Sequence, residues 1–95
     1  MGNMIQSLSC AETRDLFTGL NVALFASIRS IAERKLAMLN RSVRLDDLRI
    51  PPNNRLEALK GDRKGTHSIR INEQWRLCFR FEGGHAYEVQ IVDYH

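Results

Sequence analysis

Apolar and polar positions fall into two regimes along this chain. From Val22 to Asn40 the apolar residues Leu24, Ile28, Ile31, Ala32, Leu36 and Leu39 recur at three- and four-residue steps, with Arg29, Glu33, Arg34 and Lys35 between them. That spacing predicts one amphipathic helix. A shorter helix is expected over residues 11–18, closed near Gly19, and weak alternation over residues 4–8 suggests a short first strand. Residues 41–55 carry Asp46-Asp47, Pro51-Pro52 and Asn53-Asn54, the composition of a loop with one short helical turn.

Beyond Arg55 the period becomes two. Ile69 and Ile71 alternate with Ser68, Arg70 and Asn72; Trp75, Leu77, Phe79 and Phe81 alternate with Arg76, Cys78 and Arg80. Gly83-Gly84 marks a tight hairpin, after which Tyr87, Val89 and Ile91 alternate with Glu88, Gln90 and Val92. Residues 55–59 suggest a further strand before Gly61. Helices followed by strands with short turns indicate an α+β fold, its helices on one face of a small antiparallel sheet. Alternation turns Ile69, Ile71, Trp75, Leu77, Phe79, Phe81, Tyr87, Val89 and Ile91 toward the helices. It turns Arg70, Arg76 and Arg80 toward the other face.

Composition narrows the class. The chain has 95 residues, 43% apolar and 26% charged, which fits one folded domain over residues 1–95 and argues against disorder. The longest apolar run, Val22–Ala26, is far too short to span a membrane. The start, MGNMIQSLSC, has neither the basic nor the apolar region of a secretory signal, so a cytoplasmic protein is expected. Cys10 and Cys78 are the two cysteines, read as reduced thiols, with Cys78 a packing residue. No cysteine–histidine pattern at zinc spacing occurs, and no metal or cofactor is expected.

Charge changes the picture further. The net charge is +3, and arginine supplies all the basic residues except Lys35, Lys60 and Lys64. Residues 41–80 hold ten basic and five acidic groups, whereas residues 81–95 hold three acids and neither Lys nor Arg. Guanidinium groups suit phosphate, so a basic middle fits a nucleic-acid partner as well as it fits a solvated surface of Arg–Asp/Glu pairs. Three groups stand out: the glycine-bracketed run Lys60-Gly61-Asp62-Arg63-Lys64-Gly65, the pair Trp75-Arg76, and the C-terminal Asp93-Tyr94-His95. Singly, each has a plain structural reading as a charged turn, a core tryptophan or a tail. Together they suit metal-free RNA scission. In that reaction a 2′-hydroxyl attacks the adjacent phosphorus, cations stabilise the phosphorane, and side chains move the two protons. DNA lacks that hydroxyl.

The stretch PPNNRLEALKGDRKGTHSIRINEQWRLCFRF, followed by the C-terminal AYEVQIVDYH, resembles the HigB toxins of the RelE/ParE superfamily. The resemblance implies a RelE-like fold with N-terminal helices on one face of a small twisted antiparallel sheet. It implies a toxin of a type II toxin–antitoxin system that cuts mRNA on the ribosome without a cofactor. A HigA-type helix-turn-helix antitoxin is then the partner, and operator DNA is reached only through it. By this resemblance Lys60 and Arg76 stabilise the phosphate, His95 transfers protons, Tyr94 stacks on or orients a nucleotide, and Asp93 orients a neighbour. Glu57 stands where some relatives carry a histidine, and is either a base or the partner of a cation. Arg63, Lys64, Arg70 and Arg80 are implied RNA contacts, while His67 and His85 are read as surface residues. ParE-like relatives on the same scaffold poison gyrase without cutting RNA, and a non-catalytic RNA-binding homologue is a further alternative. Lys60, Arg76 and His95 separate the cutting toxin from a pure gyrase inhibitor, which would not require them.

Overall fold

The computed structural model describes residues 3–61 and 65–94. Helix α1 spans Ala11–Phe17 and stops where Gly19, at φ 96°, donates its N–H to the Leu16 carbonyl at 3.0 Å. A left-handed residue at this position suits glycine, which has no Cβ to clash. Helix α2 spans Arg29–Arg41. Strands follow: β1 (Glu57–Ala58), β2 (Thr66–Arg70), β3 (Trp75–Glu82) and β4 (His85–Asp93). They form one antiparallel sheet in the order β1-β2-β3-β4. Residues 4–9 lie parallel to β4 through isolated bridges at Ile5–Ala86 and Leu8–Val89 rather than forming a strand of their own. Their backbone bonds close part of the outer edge of β4, as when Gln6 N–H reaches the Ala86 carbonyl at 2.8 Å.

The helical stripe of α2 forms as its spacing requires, and Ala32, Leu36 and Leu39 are buried. Upstream the single helix expected from Val22 is replaced by a 3₁₀ segment, Ala23–Ile28, kinked at Phe25 (φ −107°, ψ 15°). The kink exchanges the two apolar neighbours. Leu24 is 58% exposed, and Phe25 is buried with its ring edge-on to Trp75 at 5.5 Å. Burying the aromatic removes more apolar surface from water than burying the leucine. The loop after α2 makes two 3₁₀ turns, Leu45–Arg49 and Pro52–Asn54. The first is tied by Asp47, whose carboxylate accepts the N–H groups of Val43 (2.9 Å) and Arg44 (3.0 Å).

On the sheet, Ile69, Ile71, Trp75, Leu77, Phe79, Val89 and Ile91 enter the core with the helices. Tyr87 does not. Between Cys78 and Arg80 the partner on β4 moves from Gln90 to Tyr87, so β4 contains one residue more than β3 there. The bulge is taken up at Glu88, whose φ is +55°, and it inverts the alternation of β4. Ala86 takes the core position, and Tyr87 turns to the opposite face beneath Arg80. His67 also departs from its expected surface position. It is half-buried, stacked on Phe79 with centroids 6.2 Å apart, and its buried Nδ1 has no hydrogen-bond partner among the described residues.

Candidate nucleic-acid site on the sheet face away from the helices

The β2–β3 register sets Arg70 directly opposite Arg76. Cross-strand neighbours of an antiparallel pair share a face, so both arginines lie on the side away from the core. Arg76 is nevertheless only 8% exposed. Its Nε donates to Ser68 Oγ at 2.9 Å, and its Nη2 donates to the Arg55 carbonyl at 2.7 Å and, more weakly, to the Ser68 carbonyl at 3.4 Å. Glu57 Oε1 lies 3.5 Å from the same Nη2. Arg55 adopts the left-handed conformation (φ 47°, ψ 57°) that ends the Pro52–Asn54 turn. That turn is anchored from beneath by buried Asn54, whose side chain donates to the Leu48 carbonyl at 3.0 Å and accepts a hydrogen bond from Lys35. A buried guanidinium held at Nε and Nη2 has little rotational freedom. Among the described residues its Nη1 carries no hydrogen bond.

Tyr94 completes this cluster. Its ring centroid lies 5.6 Å from the Arg76 guanidinium carbon, within cation–π range. The C-terminal segment is held there by β4 and by the Tyr94 N–H, which donates to the Gln74 carbonyl at 2.6 Å. Asp93 pairs with Trp75 in the register and so belongs to the other side of the strand, where Gln74 Nε2 donates to its carboxylate at 3.1 Å. Lys60 is exposed two residues after β1 and forms no ion pair or hydrogen bond with the described residues. His95, Arg63 and Lys64 lie outside the described residues.

Arg80 differs from Arg76. Its Nε donates to Glu88 at 3.0 Å, its Nη1 to Glu82, and its guanidinium lies 4.8 Å from the Tyr87 centroid. The hydrogen bond that Arg80 donates to Glu88 leads the effects that raise its pKa above the ordinary guanidinium value. Two carboxylates already balance this charge, although Arg80 lies on the face to which alternation turns it. The bulge that turns Tyr87 beneath Arg80 also brings Glu88 to it. Sequence reasoning missed Ser68 and the Arg55 carbonyl as the groups that orient Arg76. The one available signal was a small hydroxyl residue alternating with Ile69 on the strand beside it.

Residues 21–95 match the family model described as "RelE-like toxin of type II toxin-antitoxin system HigB". The chain belongs to this HigB-like toxin family. Similar proteins include Toxin HigB-1 of Vibrio cholerae, 48% identical over 64% of this chain. An uncharacterised protein of Haemophilus influenzae is 39% identical over 60% of the chain, and Endoribonuclease HigB of Proteus vulgaris is 46% identical over 43%. These matches span 64%, 56% and 45% of the three proteins' own lengths, less than two thirds in each case. The YoeB-YefM complex from Staphylococcus aureus contains a chain of the same fold, with a TM-score of 0.60 at 19% identity, covering 96% of this chain and 97% of that one. The HigB-like fold thus holds the N-terminal helices on one face of an antiparallel sheet and the Arg76 cluster on the other. Among the described residues, no helix is long and apolar enough to cross a membrane.

Proposed function

We propose that this HigB-like chain is the toxin of a type II pair and cuts mRNA on the translating ribosome in the cytoplasm. The observation that carries this reading is the buried, pre-oriented guanidinium of Arg76, with Glu57 and Tyr94 against it and Arg70 across the strand pair. A cation fixed before the substrate arrives stabilises charge developing on a phosphorane without reorganising at the moment of reaction. The family membership and the relative named Endoribonuclease HigB support the same chemistry.

In this mechanism the 2′-hydroxyl attacks the neighbouring phosphorus, a 2′,3′-cyclic phosphate forms, and the 5′-oxygen of the next nucleotide leaves with a proton. Arg76 Nη1 faces the non-bridging oxygens, and Lys60 adds a second positive charge. Tyr94 stacks on the base beside the scissile linkage. Glu57 and His95 are the two groups assigned to proton transfer. Glu57 is 56% exposed on its side chain, so it meets solvent and substrate while its 3.5 Å contact with Arg76 keeps it at the site. Asp93 acts indirectly, bracing the final residues through Gln74. Arg63 and Lys64 extend the phosphate contacts beyond the scissile linkage, and a HigA-type antitoxin restrains the toxin.

The test is a reconstituted translation reaction programmed with an mRNA carrying a single 2′-deoxy nucleotide at the mapped cut. The all-ribose message should be cleaved, leaving a cyclic phosphate, and the deoxy message should survive at that position. Equal cleavage of both messages contradicts the mechanism, and growth arrest with no cut in either contradicts the reading as a nuclease.

A further inference from the structure

The turn between β2 and β3, residues 71–74, ends on the glutamine that braces the C-terminal segment. Its two ends meet at Trp75, whose carbonyl accepts the N–H groups of Ile71 at 3.0 Å and Asn72 at 3.2 Å. The half-buried Asn72 side chain closes the turn from within. Its Oδ1 accepts the N–H of Gln74 and the N–H of Trp75, each at 2.8 Å. Asparagine suits this place, because its short carboxamide stands in for a backbone carbonyl in a tight turn. Glu73, in the same turn, is exposed and forms no ion pair or hydrogen bond with the described residues.

We propose that Asn72 is a positioning residue for the RNA-cutting face, acting on Tyr94 through the peptide group between Gln74 and Trp75. The inference rests on the reading of that face as the site of cleavage. The Trp75 N–H and the Gln74 carbonyl belong to one planar trans peptide and point in opposite directions. Asn72 holds the N–H, so the carbonyl is aimed the other way, toward the end of β4, and there it accepts the Tyr94 N–H at 2.6 Å. The second Asn72 bond, to the Gln74 N–H, fixes the residue whose carboxamide grips Asp93 at 3.1 Å. Tyr94 needs such a hold. Strand β4 ends at Asp93, and Tyr94 is 38% exposed, so neither the ladder nor the core fixes it. Among the described residues it is held by the bond to Gln74 and by the ring contact with Arg76. One side-chain oxygen in the turn thereby sets where the last described aromatic ring meets the buried guanidinium.

The test compares Asn72→Ala, Asn72→Asp and Glu73→Ala in the whole chain, by amide hydrogen exchange and by ribosome-dependent cleavage. Asn72→Ala should speed exchange of the Tyr94 amide about tenfold relative to that of Leu77, which is paired with both β2 and β4. Its kcat should fall about fivefold, with KM for programmed ribosomes within about twofold of the unaltered chain. Asn72→Asp keeps an oxygen acceptor at the same place and should restore both readouts, and Glu73→Ala should move neither. Unchanged Tyr94 exchange in Asn72→Ala overturns the proposal, as does an equal rise at Tyr94 and Leu77, which marks a general loss of stability. Faster Tyr94 exchange with kcat unchanged also overturns it, as does Asn72→Asp behaving like Asn72→Ala. An unaltered chain that cuts no message defeats the reading of the face, and the exchange comparison still decides whether Asn72 holds Tyr94.

Discussion

Arg76 and Tyr94 are joined by a 5.6 Å contact between guanidinium carbon and ring centroid. The last described residue of the chain therefore lies against the most deeply held cation on the sheet. The contact depends on the β3–β4 register, which pairs Trp75 with Asp93 and sets Tyr94 on the Arg76 side of β4. Tyr94→Ala should leave the melting temperature nearly unchanged, because the residue is exposed, and should lower cleavage about tenfold. Tyr94→Phe should keep most of the activity if stacking is the ring's role. Parallel melting curves and single-turnover cleavage rates check both.

Ser68 is a positioning residue. Ser68→Ala removes the acceptor of the Arg76 Nε–H inside a buried region. An unsatisfied buried donor costs about 1–3 kcal/mol. The urea midpoint should fall accordingly and cleavage should drop. The released guanidinium should be visible as a change in the Arg76 Nε–H resonance, which a general loss of stability would not select.

Glu57→Gln separates charge pairing from proton transfer. The carboxamide retains the shape and one acceptor toward Arg76. A base role predicts a loss of about a hundredfold or more in the single-turnover cleavage rate. A pairing role predicts a small change in that rate.

Asp47 gives the loop after α2 a pH dependence. The backbone N–H groups of Val43 and then Arg44 hold its carboxyl below the ordinary value of 3.8. A depressed folded-state pKa means that the unfolded chain binds the proton more readily. The stabilisation is therefore present above 3.8 and is lost as pH falls from there through the folded-state value. Asp47→Asn should lower the urea midpoint at neutral pH, and the gap between the two proteins should narrow on acidification below pH 3.8.

Glu88 holds the left-handed bulge position at φ +55°. Glycine adopts this conformation without steric cost, whereas a β-branched residue does so poorly. Glu88→Gly should be more stable than Glu88→Val by about 1–2 kcal/mol, judged by urea unfolding.

Much of this architecture follows from spacing. The stripe Ile28, Ala32, Leu36, Leu39 phases α2, and the glycine pair after Glu82 marks the hairpin. The kink at Phe25 was not legible, because consecutive apolar residues from Val22 to Ala26 permit more than one helical phase and only the contact with Trp75 chooses between them. The bulge was hidden because Glu88 gives no glycine-like signal of a left-handed backbone. At the candidate site, alternation assigned Arg76 to the correct face but suggested an exposed row of arginines. Burial of Arg76 comes from the Arg55 turn packing over the strand, a tertiary event with no local pattern. Likewise, the neutralisation of Arg80 follows from the bulge that brings Glu88 to it.

In the proposed mechanism Arg76 supplies fixed positive charge to the scissile phosphate. The decisive experiment is single-turnover cleavage of ribosome-bound mRNA by the unaltered chain and by Arg76→Ala. Removing one preorganised donor of this kind costs about 10²–10³ in rate. A loss of that size is expected at unchanged ribosome affinity, with Arg76→Lys failing to restore the rate. Cleavage by Arg76→Ala at the unaltered rate, with the variant folded and ribosome-bound, would contradict it.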